Sequence, residues 1–197
     1  MDHRSQSAQV HRHSHHQRPR HNRRTVVRSR LWNLLTSTPK NMTSKMYKNP
    51  NLKPLDRSKV KLLVIHCVAN KCTREFKPEN LIACGIAKFG QPSYHYYIRY
   101  TGEIVPILPE NVRGAHARRY NSCSLGIVYE GGLDANGKAD DTRTEAQKKA
   151  MEALLKDLTE EYPDARIVGH CELPYVTKSC PNFIPSKEYS QLNGNQK

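Results

Sequence analysis

Residues 51–197 hold only four histidines, at positions 66, 95, 116 and 170. His66 closes the apolar run Val60-Lys-Leu-Leu-Val-Ile65, and His170 closes a later one, Arg166-Ile-Val-Gly169. In α/β sheets ligands collect outside strand ends, so two imidazoles at two such ends form a natural pair. Beyond His170, across a loop containing Pro174, stands Cys180, followed at once by Pro181. Two imidazoles and a thiolate make an N/N/S donor set suited to zinc with one corner open for water, a catalytic rather than a structural pattern. The three residues are discontinuous, so spacing alone leaves a second reading open: satisfied core histidines and a buried thiol. Cys67 and Cys171 each follow a ligand position, where strand alternation turns them away, and both are expected as buried thiols.

The elements that must carry these residues are legible in outline. Val60–Ile65 is a nearly continuous β-branched run, as expected of a strand buried on both faces. Pro78-Glu-Asn-Leu-Ile opens a short helix, with proline in the first turn where its missing N–H costs nothing, and Gly90 and Pro92 end it. Tyr94–Tyr100 and Glu103–Leu108 flank Thr101-Gly102 as a hairpin. Ser124–Glu130 reads as another strand, and Asn136-Gly137 as a tight turn. From Glu145 to Glu161 the pattern predicts a helix of ~25 Å. Ala146, Ala150, Leu154, Leu158 and Tyr162 lie along one face with Met151 and Leu155 beside them, and Thr144 with Gln147 forms a capping box. Strands alternating with helices, plus one hairpin, predict a single α/β domain: a central mixed β-sheet flanked by helices.

The 197-residue chain carries 32 Lys and Arg against 18 Asp and Glu, a net charge of +14. Residues 1–50 hold 11 of the cations, one acid (Asp2) and six histidines, so most of the basicity sits in the leading segment. With almost no apolar pattern there, the composition predicts a disordered basic tail over 1–55, a domain over 56–190 and a flexible end over 191–197. The tail reads as a metal- or nucleic-acid-binding arm or as a plain solvated leader, with Met42 or Met46 as alternative starts. No apolar run reaches the roughly 20 residues of a membrane span, and the short Leu31–Leu35 stretch is no secretory signal. The chain is therefore expected to be cytoplasmic as synthesised, without an integral membrane segment. The six cysteines are too sparse for a disulfide scaffold and are expected mostly as free thiols.

Four blocks resemble the zinc-dependent N-acetylmuramoyl-L-alanine amidase family, which includes the peptidoglycan recognition proteins. They are Val64-Ile-His-Cys67; Ser93-Tyr-His-Tyr-Tyr-Ile98 with Thr101-Gly102-Glu103; Gly114-Ala-His-Ala117 with Tyr120-Asn121 and Ser124-Leu-Gly-Ile127; and Gly169-His170 with Lys178-Ser-Cys-Pro181. All four stand in the family's order across residues 60–185, most like the phage-type members.

The resemblance implies roles position by position. His66, His170 and Cys180 match the ligands of one Zn2+. Tyr94 matches a tyrosine whose hydroxyl lies near the metal-bound water, and Lys178 a lysine that stabilises the oxyanion. His116 and Asn121 fall in a stretch that lines the substrate groove. Where some members use a glutamate in the strand matching 124–130, this chain has Val128, so Tyr94 is expected to carry that role, with Glu130 a weaker substitute. His95, opposite to Tyr94 on an extended strand, is assigned to packing or to hydrogen bonding behind the site.

The implied reaction is hydrolysis of the amide between N-acetylmuramic acid and L-alanine in peptidoglycan by a monomer acting on the cell wall after release or export. A binding module of the same fold that recognises peptidoglycan without cutting it is the alternative; retention of Cys180, Tyr94 and Lys178 favours the enzyme. A nucleic-acid-binding protein is the third reading. It is disfavoured because residues 51–197 carry 21 cations against 17 acids, only +4, and no aromatic-basic interleaving.

Overall fold

The computed structural model describes residues 52–193; all but the last four residues of the predicted basic leader, and residues 194–197, lie outside the described residues. Packing is in place by Pro54, which bridges Val112, and Leu55, which is buried. Asp56 caps a 3-10 turn at Arg57–Lys59 by accepting from the Ser58 N–H. That turn absorbs Val60, so the first strand, β1, runs over Leu62–Cys67. All six of its residues are buried, as a strand covered on both faces requires.

A short strand β2 (Asn70–Lys71) follows, then helix α1 (Pro78–Phe89). Pro78, Leu81, Ile82 and Gly85 make the buried stripe of α1, and Gly90 ends it in the left-handed region at φ 73°. The hairpin strands are β3 (Tyr96–Ile98) and β4 (Ile104–Pro106), antiparallel about a turn closed by Gly102. Then come β5 (Ser124–Tyr129), the two-residue β6 (Gly132–Leu133) and helix α2 (Glu145–Glu161). Strand β7 (Arg166–Gly169), a 3-10 turn at His170–Glu172 and a last short helix α3 (Pro185–Glu188) complete the order.

The main sheet runs β4-β3-β5-β1-β7, parallel except for the β3–β4 hairpin. This is the expected mixed sheet; β1, flanked by β5 and β7, is in register with the central strand β5 from Leu62 opposite Ser124 to Cys67 opposite Tyr129. Alternation sorts the two faces. Leu63, Ile65, Leu125, Ile127 and Ile167 pack with Met151, Leu154, Leu155 and Leu158 of α2. On the opposite face, Tyr97 and Val128 meet Leu81 and Ile82 of α1, while Leu62 and Val64 meet Ala117 and Leu173 from loops.

The α2 capping box forms as its sequence predicts, but Ala146 is exposed and Gln147 is buried in its place. Gln147 spends its whole amide: Oε1 accepts from the Thr144 N–H, and Nε2 donates to the carbonyls of Ile98 and Glu130. A polar residue belongs on this buried stripe because it satisfies two strand-end carbonyls. Just ahead of the same helix N-terminus, Arg143 is buried between Asp141 and Glu188 and lies over the Phe183 ring, fastening the C-terminal segment to α2. Among the described residues no helix is long and apolar enough to cross a membrane.

Candidate metal centre

His66 is the penultimate residue of β1, and His170 follows the last residue of the adjacent parallel strand β7. Both leave the sheet at the same end, and their rings lie 4.6 Å apart. Cys180 is brought back from the loop by main-chain pairing: its carbonyl accepts from the Cys171 N–H at 2.7 Å. Its Sγ accepts from the Cys67 N–H at 3.3 Å. One ligand atom from each of His66, His170 and Cys180 lies within 4.8 Å of the others, and the His66 Nδ1 to Cys180 Sγ separation is 3.9 Å. Around tetrahedral zinc with two nitrogens and a sulfur such edges are about 3.4–3.6 Å, so a small closure completes the set.

The protonation states suit a cation. Burial, with His116 and His170 nearby, holds the His66 imidazole well below its ordinary range, and burial together with Lys178 lowers His170. Both rings are therefore neutral ligands at pH 7. The Cys180 thiol is pushed far up by its hydrogen bond to Cys67 and by burial, a shift that a bound divalent cation reverses by taking the thiolate. All six cysteines are free. Cys67 is buried in the α2-side core as alternation predicts, whereas Cys171, expected buried beside its strand, is half-buried because it falls on the 3-10 turn at His170–Glu172.

The three ligand candidates open onto a cavity of about 390 Å³ that Tyr94, His116 and Lys178 also line. The Tyr94 ring lies 5.1 Å from His66 and 6.2 Å from His116. Burial, then the Cys180 and Cys67 sulfurs, raises its phenol, so Tyr94 keeps its proton at neutral pH. Lys178 is exposed on the loop two residues before Cys180. Asn121 stands behind the lining: its Oδ1 accepts from the N–H groups of His116 and Ala117 at 3.1 and 2.8 Å, fixing the loop that carries His116.

Several contributors carry no sequence signal of their own. Phe76, Leu81 and Phe89 form an apolar wall of the cavity, contributed by α1 and the segment before it. Glu130 is buried away from any catalytic use, its two oxygens accepting from the N–H groups of Phe76 and Tyr100 at 2.6 and 3.0 Å. Val128 packs with α1. His95 sits at a bend ahead of β3, fully buried behind His116, where Nδ1 accepts from the Gly126 N–H and Nε2 donates to the Val112 carbonyl, each at 2.9 Å. That is the hydrogen-bonding post expected of it.

Comparison with known proteins agrees with the geometry. Residues 56–183 match the model of the N-acetylmuramoyl-L-alanine amidase family. The endolysin of Klebsiella phage KP32 is 29% identical over 136 residues, which is 64% of this chain and 83% of that protein. The endolysin of Escherichia phage T7 is 36% identical over 90 residues, covering 46% of this chain and 58% of the phage protein. Among solved structures, the N-acetylmuramoyl-L-alanine amidase LysC from Clostridium intestinale URNW superposes with a TM-score of 0.57 at 26% identity, covering 72% of this chain and 91% of that one. With the family match spanning well over half of its length, and with three donor side chains converging at one sheet end, the chain belongs to the N-acetylmuramoyl-L-alanine amidase family.

Proposed function

We propose that this chain is a zinc-dependent N-acetylmuramoyl-L-alanine amidase, hydrolysing the amide between N-acetylmuramic acid and the L-alanine of the peptidoglycan stem. The observation that carries the reading is the convergence of one ligand atom each from His66, His170 and Cys180 within 4.8 Å, at the floor of a cavity. When bound, zinc supplies Lewis acidity, lowering the pKa of water to about 7 and polarising a carbonyl.

The chain's own residues supply the rest. Tyr94, protonated at neutral pH, orients the attacking water through its hydroxyl and relays the proton that the water loses to the leaving amide nitrogen, ending protonated again. Lys178 brings a cation to where negative charge develops on the scissile carbonyl oxygen, worth about 3–4 kcal/mol when held in place. His116 offers the substrate groove the face of its ring, and Asn121 acts one step behind by holding the 116–117 backbone. The apolar wall from Phe76 to Phe89 excludes water from one side. The partner is peptidoglycan or its fragments, met as a monomer after release or export from the cytoplasm.

The test is zinc content together with release of stem peptides from purified cell wall, with and without chelator. Wild type is expected to hold one zinc and to release peptides, and Cys180→Ala to lose both. Bound zinc with intact wall recognition and no hydrolysis overturns the enzyme reading in favour of a binding module.

A further inference from the structure

The cavity-lining ring of His116 has both nitrogens engaged inside the protein. Its Nδ1 lies 3.1 Å from His66 Nε2, and its Nε2 lies 3.4 Å from the Ser124 hydroxyl. The Ser124 hydroxyl in turn donates to the Tyr120 carbonyl at 2.8 Å. A carbonyl has no proton to give, so it dictates the direction of every bond before it. Ser124 spends its only proton on Tyr120, so its oxygen accepts from His116 and Nε2 of His116 carries the hydrogen. In a neutral ring Nδ1 is then bare, and it accepts the hydrogen on His66 Nε2. His66 is left with a bare Nδ1, the nitrogen that faces Cys180. The opposite order would put a hydrogen on His66 Nδ1, aimed at the metal position.

The fold is shaped to admit this ring. A Cβ at Gly126 would come within 2.6 Å of it, and one at Gly114 within 2.7 Å. Gly126 and Ser124 lie on the same face of β5, so the strand presents a hydroxyl to the ring nitrogen and an empty position to the ring plane. Ser124 is fully buried, which makes its hydrogen bonds obligatory rather than shared with water.

We propose that His116 and Ser124 are positioning residues for the metal: the Tyr120 carbonyl–Ser124–His116 chain fixes His66 in the tautomer whose Nδ1 is free to bind a divalent cation. The inference rests on the zinc reading above and adds to it a hydrogen-bonded support that ends on main chain rather than on a carboxylate. It also gives His116 a task that binding substrate through its nitrogens would interrupt.

The experiment measures zinc dissociation constants by competition with a chromophoric chelator, and the visible spectrum of the Co2+-loaded protein, for wild type, His116→Ala, His116→Asn and Ser124→Ala. Asn places an amide oxygen near the position of Nδ1 and preserves the acceptor. His116→Ala is expected to bind zinc about 10–100-fold more weakly, His116→Asn to recover most of that loss, and Ser124→Ala to lose roughly 2–10-fold. Co2+ bands are expected to shift in His116→Ala and to return in His116→Asn. Equal affinity in wild type and His116→Ala overturns the inference, as does an equal loss in Ala and Asn, which assigns the effect to ring bulk. If His116→Ala does not fold, Ser124→Ala decides, and unchanged zinc affinity there overturns the chain. Failure of wild type itself to bind zinc refutes the metal reading instead, so the two failures are distinguishable.

Discussion

Acid should unfold the metal-free protein through its buried imidazoles, and His95 allows the size to be worked out. Its folded pKa is lowered to about 4, chiefly by burial, against an ordinary 6.5. A group depressed in this way stabilises the fold above its unfolded pKa, and that stability is lost as pH falls toward the folded value. At pH 5 the unfolded chain holds nearly a full proton on this ring and the folded chain almost none. Between pH 7 and pH 5 the difference amounts to about 2 kcal/mol, a large part of a typical 5–15 kcal/mol stability. His66 and His116, also lowered with burial as the main cause, push the same way. Urea unfolding in EDTA at the two pH values is the assay, and a fall in midpoint of about 1 M or more is expected. Asp141, whose carboxyl lies below its ordinary 3.8, stays ionised across this window and does not contribute. His95→Gln should be less stable at pH 7 but lose about 2 kcal/mol less on acidification. Parallel losses in the variant and wild type would refute the reasoning.

Three further outcomes follow from the geometry. Zinc binding at pH 7.5 should release between about one and two protons per site, one from the raised Cys180 thiol and the rest from water whose pKa zinc lowers to about 7, with none from the already neutral imidazoles; calorimetry in buffers of different ionisation enthalpy reads the number, and a release well below one refutes it. Lys178→Ala should leave zinc content unchanged and lower kcat on the order of 10²-fold, and unchanged turnover removes Lys178 from the mechanism. Arg143→Leu should cost about 2–4 kcal/mol, because it strands Asp141 and Glu188 and releases the Phe183 contact; a change in stability below about 1 kcal/mol would show that solvent takes over both carboxylates.

The sheet and both long helices are legible in the chain because their signals are local. A β-branched run, a proline at the first helical turn and a capping box each act within a few residues. The misjudged details come from tertiary context. Val60 has the composition of a strand residue, but Asp56 caps a turn that reaches it first. Ala146 fits an apolar stripe, yet Gln147 takes the buried place because Ile98 and Glu130 need a donor. The candidate trio His66, His170 and Cys180 could be named from residue type and family resemblance, whereas its convergence depends on β1 and β7 lying side by side, which no local pattern encodes. Ser124 is the clearest case of what stays hidden. It reads as an ordinary strand-opening residue until the 114–123 loop folds back and lays a histidine over it.

The four histidines of the folded region form one row. Ring centroids step 4.6 Å from His170 to His66, 5.1 Å on to His116 and 5.9 Å on to His95. One end meets the cavity, and the other ends dry, on the main-chain groups of Gly126 and Val112. Carboxylates are the usual brace for a ligating histidine, and they add a negative charge beside the metal as well as fixing the ring. Here the brace is a neutral imidazole held by a hydroxyl and a carbonyl. A thiolate is then the only anion contributed by the donor set, and a divalent cation bound there keeps a net positive charge. For a reaction whose barrier is the build-up of negative charge on an amide oxygen, that retained charge favours the transition state over the neutral substrate. The arrangement thus obtains a fixed ligand geometry without lowering the electrophilicity on which the chemistry depends. Its cost is borne by the fold, as acid sensitivity in the buried rings and as glycines wherever those rings must fit.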